Sequence, residues 1–154
     1  ADGWLRADLA ELRRRGYRHV VMAGQSRGGW NTLMTLNAPG LVNVAIAIAP
    51  AAHGQTGSAN HQRQLDELRA IVEAAAAREA RVAVANFRND PFDAEPEARA
   101  MLVNRLAGRV GALLFLDRPD GLEGHVAGAT TAFNDRFGLC LLRFATAQTS
   151  AERC

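Results

Sequence analysis

Ser26 stands at the centre of Gly24-Gln25-Ser26-Arg27-Gly28, directly after the apolar run Val20-Val21-Met22-Ala23 and before a segment, Gly29 to Ala38, that reads as a helix. Strand, Gly-x-Ser-x-Gly, helix is the context of a nucleophile elbow. On so sharp a turn the Ser backbone is strained and its hydroxyl projects above the C-terminal edge of a sheet. Small residues two before and two after the Ser let strand and helix pass close together, and Gly24 and Gly28 meet that need. The plainer alternative is a Gly-rich strand-to-helix turn with an idle hydroxyl.

A serine hydroxyl is a weak nucleophile at neutral pH and needs a base to take its proton. Two further loops carry suitable side chains. Asp90 lies in Arg88-Asn89-Asp90-Pro91-Phe92-Asp93, after the run Val82 to Phe87, and His125 lies between Asp117 and Gly128, after the run Ala112 to Leu116. The chain order Ser, Asp, His is the one expected when such a set is built on a parallel sheet. In that reading His125 takes the Ser26 proton and returns it to the leaving group. Asp90 fixes the imidazole tautomer and stabilises the imidazolium.

Each assignment has a competitor. Asp90 precedes Pro91 and would also serve as a turn former, with Asp93 the runner-up for the acid. His53 also follows a strand and reads as a pocket-wall residue; with Gln25 in the elbow it is a candidate for touching substrate. His19 starts a strand, which puts it at the opposite edge, and His61 begins a helix.

The elements that must position these side chains follow from periodicity. Leu5, Leu9 and Leu12 recur at helical spacing, so Trp4 to Arg15 reads as an amphipathic helix stopped at Gly16. A strand from His19 to Ala23 leads into the elbow. Val44 to Ala49 is a continuous apolar run ended by Pro50, a strand covered on both faces. Leu65, Leu68, Val72 and Ala75 mark a helix over His61 to Glu79. Pro96 starts another, whose face carries Ala98, Met101, Leu102 and Leu106. Phe133, Phe137, Leu141 and Phe144 stripe a last helix, and the tail from Gln148 is polar. Strands alternating with helices predict an α/β fold: one domain over residues 1–154, a parallel sheet of about four strands in a three-layer α/β/α arrangement, with reactive residues at the C-terminal edge.

With these residues placed, the chain resembles the α/β-hydrolase superfamily of serine hydrolases, in its esterase and dienelactone-hydrolase-like branches. The resemblance covers nearly the whole chain but only the C-terminal half of the family's domain. The elbow matches the loop after the family's fifth strand, Asn89-Asp90-Pro91 the acid loop after its seventh, and Gly124-His125 the histidine loop after its eighth. Asp117 comes after the acid position in that order. The resemblance implies hydrolysis of an ester, thioester or amide through an acyl-enzyme, a small-molecule substrate, no cofactor, and the Arg27 amide as one oxyanion donor. The family's second donor comes from a loop after its third strand, a region this chain begins beyond. Another polypeptide, a lost segment or a local amide would have to supply it. The rival reading is a remnant of the fold that binds or interacts without catalysis.

Composition narrows the field. Of 154 residues 48% are apolar and 22% charged, and the net charge is +2, the ordinary balance of a globular domain. Arg residues are interleaved with Asp and Glu, so no phosphate-binding stripe and no nucleic-acid partner is indicated. No Gly-x-Gly-x-x-Gly follows a strand, and neither a P-loop nor a His-x-x-x-His metal pair occurs. No apolar run approaches membrane-spanning length. The start Ala1-Asp2-Gly3, without initiator Met or signal peptide, reads as a processed or excised piece and leaves the compartment open. Cys140 and Cys154 fit neither a metal pattern nor a redox pair; two separate thiols are the default, and a disulfide, which would favour a secreted or periplasmic setting, is the alternative. Finally, a first strand without its usual neighbour is expected to leave an apolar edge open to association.

Overall fold

The four apolar runs form four strands, β1 (Val21–Gln25), β2 (Val44–Ile48), β3 (Arg81–Asn86) and β4 (Ala112–Asp117). In the computed structural model, which describes residues 2–146 and Cys154, they make one all-parallel sheet in the order β1-β2-β3-β4. Val44 stands beside Val21 and Arg81, and Arg81 beside Ala112, so the strands start level and their C-terminal ends share one edge.

Pleating sends alternate side chains to opposite layers. On one face Ala45, Ala47, Val82 and Val84 meet the helices α1 (Asp2–Arg14), α2 (Arg27–Met34), α3 (Arg63–Ala74) and α4 (Pro96–Asn104), through Leu9, Trp30, Leu33, Leu68, Val72 and Val103 among others. On the other face Val44, Ala83, Ala85 and Leu114 meet a helical segment over residues 131–145. That segment runs α5 (Thr131–Phe133), a π-helical stretch Asn134–Gly138 and α6 (Leu139–Ala145), and buries Phe133, Phe137 and Phe144. Sequence-order strands joined by right-handed crossovers put the connecting helices on one face, which leaves the other to the C-terminal segment. The result is a three-layer α/β/α fold.

Several element boundaries differ from the periodicity reading. β1 begins at Val21 and extends through Gln25, so His19 precedes the strand; its Nε2 meets the Ala145 carbonyl at 2.7 Å, at the edge away from the elbow. α2 starts at Arg27, immediately after Ser26, and ends in a 3-10 turn at Thr35–Asn37. α3 begins at Arg63, past His61, and stops at Ala74 rather than Glu79. Ala75 is extended there, and the Ala76 and Ala77 amides donate to the Leu36 carbonyl at 2.8 and 3.0 Å, turning the chain back toward the sheet. α4 is rotated: Met101, expected on the inner face, is 66% exposed, whereas Arg99 is 4% exposed and sits inside with Leu102 and Val103.

The outer edge of β1 has no strand partner among the described residues, and Val21 and Ala23 are exposed there. Cys140, in α6, is joined to Cys154 by a disulfide, so the default of two thiols does not hold. The polar tail from Gln148 lies, apart from Cys154, outside the described residues. No helix among the described residues is long and apolar enough to cross a membrane.

Candidate functional site

The four strands leave their shared edge through sharp turns, and a non-glycine residue with positive φ follows each: Ser26 (φ 55°), Ala49 (42°), Asn89 (53°) and Arg118 (51°). Backbone strain of this kind is held in place only where the surroundings over-determine it. At Ser26 the surroundings are explicit. Its amide donates to the Ile48 carbonyl at 3.0 Å, and its carbonyl accepts from the amides of Trp30 at 2.9 Å and Ala51 at 3.0 Å. Its ψ of −122° turns the chain directly from β1 into α2. The first intrahelical bond of α2 comes from Trp30, so the amides of Arg27, Gly28 and Gly29 point out of the helix start beside Ser26.

The three side chains singled out by their loops meet. The Ser26 hydroxyl lies 2.7 Å from Nε2 of His125. Nδ1 of the same ring lies 3.0 Å from both carboxylate oxygens of Asp90. A carboxylate only accepts, so the ring hydrogen resides on Nδ1, and Nε2 offers its lone pair to the Ser26 O–H. The His125 and Asp90 side chains are 14% and 6% exposed, sheltered enough for these contacts to be little screened.

The acid and histidine loops are fastened to each other and to the elbow. The Gly124 amide donates to the Arg88 carbonyl at 2.8 Å, and the Asn89 side-chain amide to Glu123 at 2.8 Å. Gly124 has φ +82°, a conformation that favours glycine, in the turn into His125. Gln25, the elbow residue named as a candidate for touching substrate, donates its side-chain amide to the His125 carbonyl at 3.0 Å.

Asp93, the other candidate acid, is held elsewhere. Its Oδ2 faces Nε of Arg99 at 3.9 Å with both side chains buried, and neither atom has a hydrogen-bond partner. Burial raises the Asp93 carboxyl above its ordinary range, opposed by the Arg99 guanidinium. Burial likewise pulls Arg99 below its usual value. Arg99 also donates to the Pro50 carbonyl, which ties α4 to the exit of β2. Asp117 forms a two-pronged pair with Arg118 at 2.9 Å for each contact. That pairing, with Glu97 added, raises Arg118 above its ordinary value.

The structure adds residues that the sequence reading did not single out. Thr56 donates through its amide and hydroxyl to the Pro91 carbonyl at 2.7 and 2.9 Å. The Gln64 side-chain amide donates to the Phe92 carbonyl. With Arg99 on Asp93, the three residues following Asp90 are each gripped by a different element. The available signal lay in the helices: Gln64 and Arg99 are polar residues on otherwise apolar stripes, with Leu68 and Val72 in one case and Leu102 and Val103 in the other.

His53 packs edge-on against Trp30, with centroids 5.8 Å apart, and its Nε2 meets Glu67 at 2.6 Å. Trp30 and Glu67, with Arg27 and Ile71, line a cavity of about 380 Å³ between α2 and α3 that opens beside the residue following Ser26. His53 thus packs behind two of the residues that line this cavity, Trp30 and Glu67. His61 lies in the turn before α3, its Nδ1 at 3.1 Å from the Gly54 carbonyl. Among the described residues no group of three or more His, Cys, Asp or Glu side chains is placed to hold a metal ion.

No protein-family model matches this chain, and no curated protein matches it significantly.

Proposed function

We propose that the chain is a serine hydrolase of the α/β-hydrolase type, cleaving an ester, thioester or amide of a small molecule through an acyl-enzyme. The observation that carries this reading is the unbroken hydrogen-bond path from Ser26 to His125 at 2.7 Å and from His125 to Asp90 at 3.0 Å, built on a strained strand-to-helix turn.

The chemistry follows from that path. His125 Nε2 takes the Ser26 proton as Oγ attacks the substrate carbonyl carbon. The resulting imidazolium is stabilised by Asp90. The negative oxygen of the tetrahedral intermediate is met by the Arg27 amide at the start of α2, where the helix dipole also favours negative charge. His125 then passes its proton to the leaving oxygen, sulfur or nitrogen, the carbon–heteroatom bond breaks, and Ser26 keeps the acyl group. Water, deprotonated by His125, releases the acid and restores the hydroxyl.

Hydrolysis of short-chain nitrophenyl esters tests this. Ser26→Ala and His125→Ala are each expected to lower kcat by about 10³-fold or more, and the double variant by little beyond either, because the two residues act as a unit. An active preparation whose turnover survives Ser26→Ala rules the reading out. A folded chain that turns over no acyl compound favours a binding module instead.

A further inference from the structure

Phe92 lies two residues beyond Asp90 and is half-buried. Its amide donates to Asp90 Oδ1 at 2.9 Å. Its ring packs on the imidazole of His125, with centroids 4.1 Å apart and planes inclined at 37°. Its carbonyl accepts from Gln64, which is itself 5% exposed and whose Oε1 accepts from the Ala52 amide at 3.0 Å. One residue therefore touches both the acid and the base, and is anchored through Gln64 to α3 and to the exit of β2.

The face of a phenyl ring carries negative potential and attracts a cation within about 6 Å of its centroid. A neutral imidazole gains only dispersion and edge contacts from the same neighbour. The contact is thus stronger for the imidazolium that forms as Ser26 gives up its proton. We infer that Phe92 is a positioning residue of this site: its ring supports protonated His125 while its amide orients the Asp90 carboxylate. The inference rests on the hydrolase reading given above.

The same ring also keeps water from the imidazole, and lost hydration disfavours charge. The two effects have opposite signs, so their balance is measurable. The imidazole meets Asp90, from the acid loop, at Nδ1 and the Ser26 hydroxyl, from the elbow, at Nε2. In the histidine's own loop Glu123 is engaged by Asn89, and the Asp93–Arg99 pair lies beyond Asp90. Phe92→Leu leaves all of these groups in place.

The test compares the wild type, Phe92→Leu and Phe92→Tyr by the pH profile of kcat/KM and by NMR titration of the His125 ring C–H signal. Phe92→Leu is expected to move the acid limb and the NMR midpoint down by about half a pH unit and to lower kcat more than it changes KM. Phe92→Tyr, which keeps the aromatic face, is expected to stay with the wild type. A midpoint that does not move, one that moves up, or Leu and Tyr variants that behave alike would overturn the inference. The NMR midpoint can be read in a chain that hydrolyses nothing. Absence of turnover would therefore count against the hydrolase reading, while an unmoved or raised midpoint would count against the role of Phe92.

Discussion

Gly24 and Gly28 approach so closely that a β-carbon at Gly24 would lie 2.3 Å from the Gly28 carbonyl carbon and 2.5 Å from its oxygen. The end of β1 and the start of α2 are in backbone contact there, and Ser26 bridges the gap. The need for a small residue is not symmetric. A β-carbon at Gly28 would meet nothing within 4 Å, whereas one at Gly29 would lie 3.0 Å from the carbonyl oxygens of both Gly24 and Ile48.

Gly24→Ala is therefore expected to force the strand and helix apart, at a cost of about 1–3 kcal/mol or more, and to displace Ser26 from His125. Gly28→Ala, in open space within a helix, is expected to be neutral or to stabilise by up to about 1 kcal/mol. Urea unfolding of the two variants checks this, and equal losses in both would contradict the asymmetry.

The two carboxylates of the acid loop are expected to separate by phenotype. Asp90→Asn removes the negative charge and turns one accepting oxygen into an NH2 donor, which favours the wrong His125 tautomer, and a drop of about 10⁴-fold in kcat is the scale for such a change, with the fold retained. Asp93→Asn is expected to lower stability while the folded fraction keeps its turnover. Active-site titration combined with unfolding midpoints distinguishes the two; a larger kcat loss in Asp93→Asn would reverse the assignment.

The buried pair gives a pH signature. In Arg99→Met the guanidinium that opposes burial at Asp93 is gone, so burial and the neighbouring Asp90 charge push the Asp93 carboxyl further above its ordinary range. A carboxyl raised on folding contributes stability below its unfolded pKa and loses it as pH rises through the folded value. The deficit of Arg99→Met against the wild type is thus expected to grow from acid to neutral pH, reaching about 3–5 kcal/mol where Asp93 must be charged and unpaired. Unfolding at about pH 4 and about pH 8 reads it. Adding Asp93→Asn should flatten the pH dependence; a deficit equal at both pH values would show that Asp93 is not the partner that matters.

Much of the architecture was legible because it rests on local rules. Continuous apolar runs such as Val44–Ile48 mark strands buried on both faces, and the glycine spacing around Ser26 marks the elbow. The stop of α3 at Ala74 was not legible, since the Ala75–Ala77 run has good helix formers and is turned aside by the Leu36 carbonyl, far away in sequence. The choice of acid was legible only as a preference for Asp90 over Asp93. Asp90 and Asp93 stand in one loop with similar surroundings in sequence; what divides them is a partner on α4, Arg99, for one and His125 for the other. Phe92 meets Asp90 through its backbone amide and His125 through its ring face, contacts that no spacing pattern encodes. The pairing of Cys140 with Cys154 was likewise open in the sequence, where no metal or redox spacing links the two.

The central claim is that Ser26 is a nucleophile activated by His125. Labelling the folded chain with a fluorophosphonate, followed by peptide mass spectrometry, tests it most directly, since the reagent forms a stable phosphonyl ester only with a serine whose proton is taken by a neighbouring base. The expected result is one adduct per chain on the peptide containing Ser26, absent in Ser26→Ala and slowed by orders of magnitude in His125→Ala. A folded wild-type chain that stays unlabelled, or one labelled at the same rate without His125, would contradict the account.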